Sequence, residues 1–113
     1  MNYARHRAWW GYIQAILRKY RSTQREQNLT GIDLRETEAV RAAIAITIEA
    51  YADGELRVEL IDSMYWKRTH TMEGAAQKLN VSYRTARRWH VEFIKQVAYE
   101  MGLEDNPPFS KKN

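Results

Sequence analysis

Residues 69–89 read THTMEGAAQKLNVSYRTARRW, and this stretch decides the fold. Thr71 is placed to cap a helix, because its hydroxyl can accept one of the backbone N–H groups that a helix start leaves unpaired. Glu73 in the first turn suits the positive end of the helix dipole. Met72, Ala75, Ala76 and Leu79 follow at helical spacing as far as Asn80. Ser82 is a second N-cap signal just beyond. The stretch therefore predicts a short helix, a tight turn and a longer helix from Tyr83 to about Met101, with Gly102 as its stop. Two capped helices joined by so short a turn form a helix-turn-helix. Small residues at Ala75 and Ala76 let the helices cross closely. Leu79, Val81, Ala86 and Trp89 are expected to fill the corner between them.

The second helix has two faces. At about 100° per residue from Arg84, Arg88 falls at about 40°, Arg87 at about 300° and Lys95 at about 20°. On the same scale Trp89 lies at about 140°, Phe93 at about 180°, Ala86 at about 200° and Val97 at about 220°. Cations line one face and apolar residues the other. Glu92 is the single acid between residues 83 and 95, and it is expected to point to the side. His90 is expected to flank the cationic face or meet solvent.

Working outward, Leu56, Leu60, Ile61, Met64 and Tyr65 predict the inward side of a helix from about Glu55 to about Lys67. Asp53-Gly54 separates it from a preceding helix, and so short a link predicts antiparallel neighbours. That preceding helix is expected to start at an Asp33 cap with Glu36 as its capping-box partner. It would bury Val40, Ala43, Ile44, Thr47, Ile48 and Tyr51. Residues 22–31, STQREQNLTG, have no period and read as a loop. A first helix from about Asn2 to about Arg21 would bury Trp9, Tyr12, Ile13, Ile16, Leu17 and Tyr20, with Arg7, Arg18 and Lys19 off that stripe. The expected organisation is all-α: an aromatic and basic helix with its linker at 1–31, a helical core at 32–102 carrying the helix-turn-helix at about 71–101, and a flexible tail at 103–113.

The chain has 113 residues, 44% of them hydrophobic and 28% charged, which predicts one folded domain. It has no cysteine, hence no disulfide and no thiolate metal site, which fits a reducing compartment. The longest apolar run is far short of a membrane span, and the N-terminus has no apolar core of the signal-peptide kind. The formal net charge of +4 is unevenly spread. Residues 1–30 carry +5, residues 31–62 carry −5, residues 63–95 carry +5 and residues 96–113 carry −1. A basic segment attracts nucleic acid, and equally it can serve solubility alone.

The longer stretch YWKRTHTMEGAAQKLNVSYRTARRWHVEF, residues 65–93, resembles the C-terminal part of bacteriophage late-gene transcription regulators of the RinA and ArpU type. TMEGAAQKLNVS is similar, more distantly, to the promoter-reading helix-turn-helix of sigma factors. It matches at Thr71, Glu73, Leu79, Val81 and Ser82 and departs at Gly74 and Ala75. The resemblance implies a phage or prophage protein in the bacterial host cytoplasm, at the nucleoid. It implies binding upstream of packaging, structural or lysis genes and raising their transcription. A phage terminase small subunit that recognises DNA for packaging also carries such a motif and is the alternative. A helical interaction module without DNA is a third reading.

For a DNA-binding protein, the partner is double-stranded DNA and the geometry assigns the contacts. Tyr83, Arg84, Arg87 and Arg88 lie in the first turns of the recognition helix and are the expected base contacts. Lys67, Arg68, Thr71, Ser82 and Lys95 are the expected phosphate contacts. The acidic segment is a candidate contact for host RNA polymerase. The first helix is expected to support a homodimer rather than lie on a membrane. His6, His70 and His90 share no i, i+4 spacing, so no metal site is expected. No glycine-rich phosphate loop or clustered carboxylate motif is present, so no enzyme activity and no cofactor are expected.

Overall fold

Ile13, Ile16, Leu17 and Tyr20 recur three or four residues apart, so a helix places them on one stripe. The structure, a computed structural model, describes residues 8–26 and 28–108. In it that stripe is buried on α1, Trp10–Gln24. The expected start near Asn2, with His6 and Arg7, lies outside the described residues. Then follow α2, Gly31–Ala50, and α3, Gly54–Ile61, which runs on into a π-helical turn, Asp62–Trp66. The chain ends its regular structure with α4, Met72–Leu79, and α5, Tyr83–Glu100. The described residues are all-α, without a strand, and close with the helix-turn-helix that their caps predict.

Two apolar clusters hold these helices. The larger joins Ile13, Ile16 and Leu17 of α1, Val40 and Ala43 of α2, and Phe93, Ile94 and Val97 of α5. The smaller joins Leu60 of α3, Ala75 and Ala76 of α4, and Ala86 and Trp89 of α5. Each fully buried aliphatic side chain contributes about 1.5–3 kcal/mol. Helices α3 and α5 belong to both: α3 gives Leu60 to the small cluster and Ile61 to the large one, while the first half of α5 anchors in the small cluster and its second half in the large one. The α1 stripe of Ile13, Ile16, Leu17 and Tyr20 is buried within the chain. Arg35 of α2 donates to the Met101 carbonyl (2.9 Å), tying the end of α5 to the bundle. Beyond it Pro107 and Pro108 are half-buried, and Pro108 lies in a small recess beside Trp89 and Phe93.

Several local expectations yield to long-range contacts. Helix α1 passes Arg21 because the Ser22 and Thr23 hydroxyls donate back to the Lys19 carbonyl (3.0 and 2.9 Å) and keep those residues within the helix. Helix α2 starts at Gly31, with Thr30 at the cap position, so Asp33 falls in the first turn and is not the cap. Glu36 does not close a capping box. It turns inward, accepts from the Tyr12 hydroxyl (2.5 Å) and pairs with Lys19 (2.6 Å). Burial and that bond to Glu36 push the Tyr12 pKa up to about 12. Tyr12, expected inside, keeps 40% of its surface exposed because only its tip turns to Glu36. Ile48 and Leu56, also expected inside, are exposed. Arg57 takes the inward position instead, on the same turn as Leu60 and Ile61.

The Asp53-Gly54 joint depends on close backbone approach. A Cβ on Gly54 would stand 2.2 Å from the Thr47 carbonyl oxygen and 2.6 Å from the Ile48 Cα. Both neighbours are main chain and have no rotamer to relax into. Gly54→Ala is therefore expected to lower the unfolding free energy by about 1–3 kcal/mol through overpacking at the α2–α3 joint. Urea denaturation measures this, and a midpoint equal to that of the wild type would contradict it.

Candidate nucleic-acid interface

The turn between α4 and α5 is built from local hydrogen bonds. The Thr71 hydroxyl accepts from the Gly74 N–H (3.1 Å) and starts α4. Asn80 ends α4 in the left-handed conformation, at φ 62°. Its N–H donates to Gln77 and that of Val81 to Ala76 (3.1 and 3.0 Å), the paired closure of a Schellman motif. Asparagine tolerates this backbone state better than most residues. Val81 then folds against the small cluster. The Ser82 hydroxyl accepts from the Thr85 N–H (3.0 Å) and starts α5. Gly102, at φ 79°, closes α5 the same way, with Leu103 donating to Ala98 (2.8 Å).

These bonds fix the rotation of α5. Ala86, Trp89 and Phe93 are buried on one side. Tyr83, Arg84, Arg87 and Arg88 are all exposed, and none of the three arginines makes an ion pair to a described residue. An unpaired guanidinium on a braced helix keeps its five donors available for a planar acceptor. The bracing comes from Arg57. Its side chain pairs with Glu92 of α5 (2.6 Å) and with Asp53 (2.8 Å), and it lies over the Tyr51 and Trp89 rings. Glu92 is thus drawn to Arg57 and neutralised.

The expected phosphate-binding residues are placed less uniformly. Thr71 is exposed beside α5 and retains its hydroxyl proton for donation. Lys67 is exposed, and its ammonium lies 3.4 Å from Asp62. Arg68 is exposed and held at φ 55°, a left-handed backbone state that strains a non-glycine residue by about 1–2 kcal/mol. The Ser63 carbonyl holds it there by accepting from the Thr69 and His70 N–H groups (3.1 and 3.4 Å). The Ser82 hydroxyl is committed to Thr85, whose Oγ1 takes its proton (3.0 Å). Lys95 is half-buried and already engaged within the chain.

His90 does not flank the cationic face or meet solvent, as its sequence neighbours led us to expect. It is buried against α1 and the π turn, with 7% of its surface exposed. Its Nε2 lies 2.7 Å from the Tyr65 hydroxyl, which in turn accepts from Gln14 Nε2 (3.0 Å). Trp10 closes over the imidazole edge-on. Burial pushes the His90 pKa down to about 4 and raises that of Tyr65, so the pair is neutral at neutral pH. Nothing in the sequence near His90 signals this chain, because its partners come from 25 residues or more away.

Three further residues escaped the sequence reading. Arg57 was legible only as a surface cation. Gly54 was legible as a breaker but not as a contact. Arg18 was visible as a cation off the α1 stripe, and the fold sets it across a groove from Arg68, Thr71 and His70. Among the described residues no group of three or more His, Cys, Asp or Glu is placed to hold a metal ion, and no helix is long and apolar enough to cross a membrane. Comparison of the chain with protein-family models, with curated proteins and with solved structures finds no match.

Proposed function

We propose that this protein binds double-stranded DNA in a sequence-specific manner and regulates transcription. The observation that carries the reading is the two-sided α5. Trp89 and Phe93 fasten one side to the domain, while Tyr83, Arg84, Arg87 and Arg88 stand exposed on its first turns. That is the division a recognition helix needs to enter a major groove. Arginine can grip guanine O6 and N7 through two parallel bonds, which suits it to base reading as well as to phosphate. The narrower role, an activator of phage late genes acting in the bacterial cytoplasm, is supported by the resemblance of residues 65–93 described above.

Selection from random duplexes, followed by titration of the selected site, tests the reading. Arg84→Ala is expected to weaken the selected site by roughly 1–3 kcal/mol and to relax preference at one position. Retention of wild-type affinity by Arg84→Ala and Arg87→Ala alike would remove α5 as the reading surface. Transcript levels from a reporter carrying the selected site then separate an activator from a packaging protein that binds DNA without changing transcription.

A further inference from the structure

Between α1, the π turn and the start of α4 lies an open groove of about 520 Å³. Its walls carry Arg18 from α1, Arg68 and His70 from the connection before α4, and the Thr71 hydroxyl. Its floor is the neutral Tyr65–His90 pair. Among the described residues no carboxylate lines it, although the chain holds 14 acids. Neither Arg18 nor Arg68 makes an ion pair to a described residue. Two cations of independent origin, a hydroxyl and an absence of acids make a surface complementary to one class of ligand, an oxyanion.

The groove adjoins the start of α5. Thr71 borders it and also borders the cleft that contains Tyr83, at the start of α5. Along α5, Tyr83, Arg87 and His90 follow at the spacing that aligns them on one flank. A duplex lying on the arginines therefore runs its backbone toward the groove. We infer that the groove seats a backbone phosphate of the bound duplex, with Arg18 and Arg68 as its two cations, so that α1 extends the DNA footprint beyond the helix-turn-helix. This rests on the DNA-binding reading above. It assigns α1 a ligand contact of its own. The strained backbone of Arg68 fits the assignment, since glycine would relax there but would contribute no cation.

The test is fluorescence anisotropy on one labelled duplex across a series of salt concentrations. The proteins are the wild type, Arg18→Gln, Arg68→Gly, Arg84→Ala and Arg41→Gln, the last removing an equal charge from the exposed side of α2. Each lost phosphate contact lowers the slope of log affinity against log salt by about 0.9. Arg18→Gln and Arg68→Gly are each expected to show that change, with affinity falling about three- to tenfold for selected and scrambled duplexes alike. Arg41→Gln should keep the wild-type slope. Arg18→Lys should restore binding and controls for an effect on folding. If Arg18→Gln matches Arg41→Gln while Arg84→Ala still weakens the selected site, the groove is not a phosphate seat and the DNA reading stands. If the wild type shows no salt-dependent duplex binding, both fall together.

Discussion

Trp89→Ala is expected to lower the unfolding free energy by about 3–5 kcal/mol. Trp89 is 3% exposed and is buried in the cluster with Leu60, Ala75, Ala76 and Ala86. Its neighbours there are mostly alanines, which cannot reach into the space it leaves. The truncation also removes the ring that Arg57 lies over at 5.5 Å. Natural domains are stable by only about 5–15 kcal/mol, so the variant should melt roughly 10–20 °C lower. Trp89→Phe should lose much less. It keeps an aromatic ring, and it deletes an indole N–H that is buried with no hydrogen-bond partner in the protein. Thermal melts of the two variants decide the point: equal losses would mean that ring burial is not what holds α5. If α5 reads DNA as proposed, the alanine variant should also lose DNA affinity, in proportion to the fraction unfolded rather than through any contact.

The second large effect is set by pH. His90 has a folded pKa of about 4 against an ordinary 6.5, because its imidazole is buried. Above about pH 6.5 both the folded and the unfolded chain hold it neutral, and its contribution to stability is complete. As pH falls below that, the unfolded chain binds a proton that the folded chain refuses, so stability drops. The drop continues until the folded pKa is reached near pH 4 and amounts to on the order of 3 kcal/mol. On the order of 2 kcal/mol of it should be gone by about pH 5, before most carboxylates titrate. His90→Gln removes the titrating group and leaves an amide able to bond Tyr65. Its stability should fall far less between about pH 7 and pH 5 than that of the wild type. Parallel acid limbs in urea melts of the two proteins would show that His90 is not the group responsible.

The two effects differ in how far they could be foreseen. Trp89 was legible as a packing residue, because helical phase alone puts it opposite Arg84. His90 is its immediate neighbour and falls at about 240° on the same scale, beside Val97, yet its polar ring led us to expect it at the cationic face or in solvent. What buries it is Tyr65, Gln14 and Trp10, brought in by two other elements. The same contrast separates Leu60 from Arg57. Leu60 was placed inside by its chemistry, whereas Arg57 is inside because Asp53, Glu92 and Tyr51 surround it. Glu36 looked like one half of a capping box and became the partner of Tyr12 and Lys19 instead. A local capping bond is worth little against a buried charge-assisted pair.

By itself the sequence determined the all-α architecture, the α4–turn–α5 unit and the opposition of arginines to aromatics on α5. Each of these follows from interactions within a few residues: Thr71 with Gly74, Ser82 with Thr85, Asn80 in its left-handed turn, and the 3.6-residue period. Such short-range physics is written in order along the chain. The tertiary structure alone decided which polar groups would be used up and which would be left exposed. It paired Glu92 with Arg57, sank His90, buried the α1 stripe and set Arg18 across the groove from Arg68. Those outcomes depend on partners brought together by packing from distant parts of the chain, and no local window of the sequence contains both members of the pair.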